Sequence, residues 1–343
     1  MSGAEGEGGE TGASGFLRQL RTRARARPRR IVFPEATEPR VHAAVRVALA
    51  EELFTPILIG PPDVIRAELE AAGVDVGRVR VVDPEPEAHR ARLEEQLIAL
   101  RAERGAPPGP AARRVRDPVI QAALLVALGE ADGGVAGSVR TTADVVRAAL
   151  GTFGLAPGLQ TLSSAFFMVF DDAHSAGPRV LTFTDAAVVP EPTADQLADF
   201  AAAASRAHRA VVGEEPRVAF LSYSTKGSAD GASVTLAREA LERFRETTPD
   251  VLADGELQAD AAVVPSVADR KVPGSDLGGR ASVLVFPDLA SANIAYKLVQ
   301  HLGGAHALGP ILLGLQRPFN DLSRGATAED ILAVACITSL MAE

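Results

Sequence analysis

A chain of 343 residues with 47% hydrophobic content can bury a sizeable core, ordinarily as two domains, and is too apolar to be disordered. Its net charge of −9 argues against nucleic acid as a general partner, and no apolar run approaches a membrane span. The single cysteine, Cys336, excludes an internal disulfide and fits a reducing compartment.

Residues 1–13 are mostly Gly, Glu, Ser and Thr and read as a disordered tail. They show no apolar signal region, so the cytoplasm is the expected location. From Phe16 an arginine-rich helix runs to Ala26, ends at Pro28, and packs through Phe16, Leu17 and Leu20. Residues 31–35 read as a first buried strand, 40–53 as an Ala/Val helix, and 56–60 and 79–82 as the next two strands. This is the β-α-β alternation of a doubly wound sheet. Glu35 stands at a strand's C-terminal end, where such folds place ligands, yet it reads as structural before catalytic.

A helix over 87–104 closes on Gly105, residues 106–116 read as an exposed Pro/Ala/Arg connection, and a second helix covers 118–128. The small residues at 133–138 let the backbone approach a ligand or another segment closely. Thr141 with Asp144 has the capping-box spacing and opens the helix carrying Arg147. A domain crossing falls near 155–157. Beyond it, 163–170 and 180–185 read as buried strands, and Thr193 with Gln196 caps a long Ala-rich helix.

Residues 217–223 read as a central strand delivering Ser224, Thr225, Lys226, Gly227 and Ser228. Hydroxyls, a lysine and a glycine ahead of a helix can cradle phosphate, although the spacing is not that of a P-loop. Only three of the 35 cationic residues are lysines, so Lys226 carries more information than any one arginine. Residues 251–265 form a strand and turn bearing Asp254, Glu256 and Asp260, followed by a strand at 281–286 and a helix at 293–302. The six histidines are scattered without ligand spacing, so no metal site is expected.

Residues 318–330 gather a hydroxyl (Ser323), a guanidinium (Arg324) and a carboxylate (Asp330) where a loop enters a helix. Thr327 with Asp330 is a third capping-box pair, which starts that helix near Ala328. Its amides would face the 323–325 turn, a favourable place for an anion. On the residues alone, Asp330 as a mere cap is as good a reading as Asp330 in a site.

The run Asn320-Asp321-Leu322-Ser323-Arg324-Gly325 resembles the C-terminal signature of the phosphate acetyltransferases, or phosphotransacetylases. Residues 286–289, 293–294 and 296–300 match the same family, and the similarity extends from about Arg30 to Ile337. The resemblance implies an α/β fold of two three-layer α/β/α domains with mostly parallel sheets and a cleft between them, like the isocitrate and isopropylmalate dehydrogenases. It places domain I at 14–156 and 316–343 and domain II at 157–315, and implies a homodimer. The implied reaction is reversible acyl transfer between acetyl-CoA and inorganic phosphate. Coenzyme A, acetyl-CoA, phosphate and acetyl phosphate are then substrates, with no bound cofactor, no metal, and neither membrane nor nucleic acid as partner.

By the same resemblance, Asp330 is the general base for the CoA thiol, Ser323 hydrogen-bonds the reacting group, and Arg324 orients substrate and offsets charge. Arg101 and Arg147 match family arginines that bind CoA and substrate, and Ser224, Thr225 and Lys226 are candidate phosphate ligands. A free thiol and a free aspartate differ by about 4.6 pKa units, roughly 6 kcal/mol, so proton transfer needs help from burial, cations or concerted attack. Cys336 lies in an apolar helix and reads as core. Departures at Val119 to Ala122, Arg140, Val189 and Ala290 leave that set intact but touch the acyl pocket. A larger acyl group, as in phosphate butyryltransferases, and a non-catalytic acyl-CoA-binding paralogue are the alternatives. A nicotinamide dehydrogenase is weakened because no G-x-G-x-x-G follows a strand.

Overall fold

The computed structural model describes residues 13–107, 109–170 and 180–342, so the tail expected over 1–13 lies outside them except for Ala13. The chain runs α1 (Ala13–Ala26), β1 (Arg30–Phe33), α2 (Pro39–Glu51), β2 (Thr55–Ile59), α3 (Pro62–Ala71), β3 (Arg80–Val82) and α4 (Glu87–Glu103). It continues α5 (Ala111–Arg114), α6 (Pro118–Ala127), β4 (Gly133–Ala136), α7 (Thr142–Thr152), β5 (Ser163–Val169), β6 (Val180–Thr184) and α8 (Ala194–Val211). The last stretch is β7 (Arg217–Leu221), α9 (Ala232–Thr247), β8 (Leu252–Leu257), α10 (Ala259–Val263), α11 (Pro265–Lys271), β9 (Val283–Val285), α12 (Leu289–His301), β10 (His306–Leu313), β11 (Phe319–Asp321) and α13 (Ala328–Met341).

Two sheets result. The first is parallel, in the order β11-β4-β1-β2-β3, and the second runs β10-β5-β6-β9-β7-β8. In the second, β10 and β6 flank β5 antiparallel while the remaining pairs are parallel. Every residue of β4, β5, β6 and β9 is buried, as strands covered on both faces must be. One apolar cluster spans both sheets, holding Ile31, Phe33 and Val45 together with Phe167, Phe200 and Phe220. Separate clusters fill the outer faces, under α6 and α7 on the first sheet and under α10 and α12 on the second.

The join between the sheets is α13. Every residue from 331 to 339 is buried, so this helix is apolar on all sides and packs on α1, α2 and β4 as well as on α8 and β10. Cys336 is wholly buried there and its thiol is pushed up to about 12 by burial, in keeping with a core role. Asn320 ties the region together, accepting from the Leu312 amide at 2.9 Å and donating to Thr338 Oγ1 at 2.9 Å. Among the described residues no helix is long and apolar enough to cross a membrane.

Several segments differ from the sequence reading, among them residues 319–321, read as part of a loop, which pair with β4 as a strand. Within 106–116 the short α5 anchors the connection by burying Ala111 and Val115 beneath the first sheet's outer helices. Strand β10 was not expected, because Gly309 and Pro310 interrupt its apolar run. It is an edge strand whose register shifts between Leu308 and Ile311, where a proline without an amide donor is tolerated.

Candidate active site

A crevice of about 480 Å³ opens between the two sheets where β11 ends. One wall is Thr142 at the start of α7, the loop from Asp321 to Ala326, and Asp330 and Val334 of α13. The other is Phe166 of β5, Tyr296 and Gln300 of α12, and residues 306–310 of β10. The Tyr296 ring stacks on Phe166 with centroids 4.1 Å apart, making that wall flat and apolar.

Ser323 and Asp330 both line this crevice, and Arg324 lies exposed between Ser323 and Gly325. The Arg324 guanidinium has no partner among the described residues. Local chemistry sets their positions. Thr327 and Asp330 form the expected capping box, with Asp330 Oδ2 accepting from the Thr327 amide and hydroxyl, each at 2.8 Å. Ser323 Oγ accepts from the Gly325 amide at 3.2 Å, folding the loop into a tight turn. Arg40 of α2 clamps that loop from behind, donating to the carbonyls of Arg324 (2.9 Å), Ala326 (2.7 Å) and Ser138 (3.0 Å).

With Oδ2 engaged in the cap, Asp330 presents Oδ1, which lies 3.7 Å from His306 Nε2. That nitrogen is buried and has no hydrogen-bond partner among the described residues. Sequence reasoning missed His306 because it sits in the unexpected strand β10. It also missed Arg40, which composition made indistinguishable from other arginines.

A second carboxyl lies below the first. Asp321, 1% exposed, accepts from Thr142 Oγ1 at 2.5 Å, while its Oδ1 is buried without a partner among the described residues. Gly137, at φ +102°, comes so close that a Cβ there would stand 2.2 Å from Oδ1. Burial pushes the Asp321 carboxyl up to about 6, with the Thr142 hydroxyl and the Leu322 amide opposing the rise and the nearby Glu35 charge adding to it. Glu35 itself ties down the loop after β4, accepting from the amides of Ser138 (2.7 Å), Val139 (2.9 Å) and Arg140 (2.7 Å) and from the Ser138 hydroxyl.

The remaining predicted residues stand elsewhere. Ser224, Thr225 and Lys226 follow β7, four strands across the second sheet from β10, and their polar atoms are engaged locally. Ser224 Oγ donates to Glu256 Oε1 at 2.9 Å, Thr225 Oγ1 accepts from the Gln258 amide at 2.9 Å, and Lys226 Nζ pairs with Asp254 and the Gly255 carbonyl. Arg238 beside Glu256 holds its carboxyl down at about 2, helped by the Gly227 amide and Ser224. Arg101 donates to the carbonyls of Pro107 (2.7 Å) and Gly151 (3.4 Å), which puts it at the C-terminal end of α7. Arg147, largely exposed on α7, bonds its own helix through Ala143 O and Asp144. Among the described residues no group of three or more His, Cys, Asp or Glu is placed to hold a metal ion.

The profile described as phosphate acetyl/butaryl transferase matches residues 15–339. A phosphate acetyltransferase of Treponema pallidum is 41% identical over 327 residues, covering 94% of this chain and 97% of that protein. One from Thermoanaerobacterium thermosaccharolyticum is 39% identical over 328 residues, covering 96% and 99%. Among solved structures, a phosphotransacetylase from Streptococcus pyogenes superposes with a TM-score of 0.89 at 37% identity, covering 96% of this chain and 98% of that one.

Proposed function

We propose, from the premise that the chain belongs to the phosphate acetyl/butaryl transferase family, that it transfers an acetyl group reversibly between coenzyme A and inorganic phosphate. The observation that carries this reading is the meeting of Ser323 and Asp330 on one wall of the crevice between the sheets. Acetyl-CoA, acetyl phosphate and phosphate are its substrates, and no resident cofactor is invoked.

In the direction of acetyl-CoA formation, Asp330 Oδ1 takes the thiol proton, since Oδ2 is held by Thr327. The thiolate sulfur attacks the acetyl carbonyl, the carbon–oxygen bond to phosphate breaks, and phosphate leaves with the electron pair. Ser323 Oγ donates to the carbonyl oxygen as charge develops, and the unpaired Arg324 guanidinium offsets charge on the phosphoryl oxygens. His306, 3.7 Å from Oδ1, offers a polar neighbour to the protonated acid. CoA carries phosphates far from its thiol, and cations follow along α7. Arg147 comes about 7 Å and the Gly151 contact of Arg101 about 14 Å along the axis from Thr142, at the rise of an α-helix. Arg147→Ala should raise KM for CoA several-fold with little change in kcat, measured by steady-state kinetics.

CoA-dependent release of phosphate from acetyl phosphate is the direct assay. No turnover with acetyl, propionyl or butyryl phosphate would sink the enzymatic reading in favour of an acyl-CoA-binding protein. The small side chains Ala187 and Ala326 on the crevice wall favour a second reading, transfer of a larger acyl group, which a panel of acyl-CoAs separates from the first. We further infer a cytoplasmic homodimer, with domain I formed by 14–156 and 316–343 and domain II by 157–315. Support for self-association is the exposed stripe Ile294, Leu298 and Leu302 along α12, and mass in solution tests it.

A further inference from the structure

We propose that Thr142 and Asp321 form a proton relay serving the phosphate side of the reaction, separate from Asp330 on the thiol side. This rests on the acyl-transfer reading above. The geometry is that of a hydroxyl committed inward: Thr142 Oγ1 donates to Asp321 Oδ2 at 2.5 Å. A hydroxyl has one proton, so Thr142, exposed on the crevice wall, turns only lone pairs toward a substrate. It can therefore accept a proton from the P–OH of hydrogen phosphate while passing its own to Asp321. The carboxyl that receives it is 1% exposed and has an oxygen with no hydrogen-bond partner among the described residues, so the neutral form is the one its surroundings favour.

The protons balance in both directions. When hydrogen phosphate attacks acetyl-CoA, its oxygen bonds the carbonyl carbon, the carbon–sulfur bond breaks, the phosphate proton passes to Thr142, and that of Thr142 passes to Asp321. Protonated Asp330 supplies the proton that the departing sulfur takes. In the reverse direction Asp330 starts charged and Asp321 starts protonated, returning its proton through Thr142 to the leaving phosphate. The two carboxyls exchange protonation states once per turnover, the arrangement that separated acid and base roles require.

The charged or titratable groups facing Asp321 are Glu35 from the loop after β1 and, around the crevice, Tyr296 of α12, His306 of β10 and Asp330 of α13. Glu35 already accepts four hydrogen bonds in the loop after β4. Arg40 is held by Glu38 and by backbone carbonyls.

The experiment follows kcat against pH in both directions, with CoA plus acetyl phosphate and with acetyl-CoA plus phosphate, in wild type, Asp321→Asn, Thr142→Val and Thr142→Ser. Wild type should show limbs near pH 6 of opposite sense, the rate falling below it when acetyl phosphate is made and above it when acetyl-CoA is made. Asp321→Asn and Thr142→Val should both lose these limbs, along with about 100-fold in rate, and Thr142→Ser should restore them. Limbs that persist in Asp321→Asn or Thr142→Val overturn the relay and leave the transferase reading standing. A wild-type chain that transfers no acyl group sinks the functional reading itself. Carbon-13 titration of Asp321 needs no turnover: an inflection near 6 that rises in Thr142→Val supports the relay, and one in the ordinary aspartate range overturns it.

Discussion

Two loops of this chain look alike on paper. Residues 224–228 follow β7 and residues 322–327 follow β11, and each offers hydroxyls, a cation and a glycine ahead of a helix. In the first, the neighbouring strand β8 supplies Asp254 and Glu256, and these accept from Lys226, Ser224 and Gly227 of the loop and from Arg238 of α9. In the second, Arg324 has no partner among the described residues, His306 Nε2 and Asp321 Oδ1 are buried without one, and the carboxylate of Asp330 has one oxygen left over. A polar loop becomes a site when its groups are left unsatisfied by the fold, and a tie when they are not. The two carboxyls record this difference: Glu256 is held down at about 2 and Asp321 pushed up to about 6.

The largest effect that would break the comparison concerns Asp330. Asp330→Asn should lower kcat by about 10²- to 10⁴-fold, as loss of a general base does, while weakening the helix cap by only about 1 kcal/mol. Full activity in that variant would reduce Asp330 to a cap and make the two loops equivalent. Next is Glu256→Gln, expected to cost about 3 kcal/mol of stability at neutral pH with kcat unchanged. A depressed folded pKa gives stability that is present above about 4.5 and lost as pH falls through about 2, so the difference from wild type should vanish in strong acid.

Asp321→Asn should act with the opposite sign. A carboxyl raised from 3.8 to about 6 in the fold contributes stability below 3.8 that is lost as pH rises through 6. Chemical denaturation should therefore find the variant about 3 kcal/mol more stable than wild type at pH 8, and little or no more stable at pH 4. Equal stability at both would mean that the charge is not strained. The smallest expected effect sharpens the contrast. Lys226→Met should cost about 1 kcal/mol, since Asp254 keeps Ser275, the Gly255 amide and Arg245, and should leave KM for acetyl phosphate within about twofold. A tenfold rise in that KM with the fold intact would restore the loop after β7 to the site.

Part of one wall of the crevice was legible in the sequence. The capping pairs at Thr193 and Thr327 are local, since donor and acceptor lie three residues apart, and both formed as read. Ser323 and Asp330 share that loop and so arrived together. Asp321 was not legible as anything but a turn residue, because its character depends on Gly137 and Thr142, distant in sequence and brought close by the pairing of β11 with β4. His306 was hidden behind Gly309 and Pro310, which argue against a strand except at a sheet edge. Ser224 and Lys226 announced donors, but the sequence could not say that β8 would answer them.

The place of β11 has a consequence for synthesis. Its partner β4 emerges from the ribosome before any strand of the second sheet, whereas β11 and α13, buried from 331 to 339, emerge after all of them. Until then β4 lacks the cover of α13, and the second sheet must assemble beside an unfinished neighbour. A nascent chain stalled before residue 319 should thus expose apolar surface to chaperones and proteases, and release of the final segment should close both halves in one cooperative step.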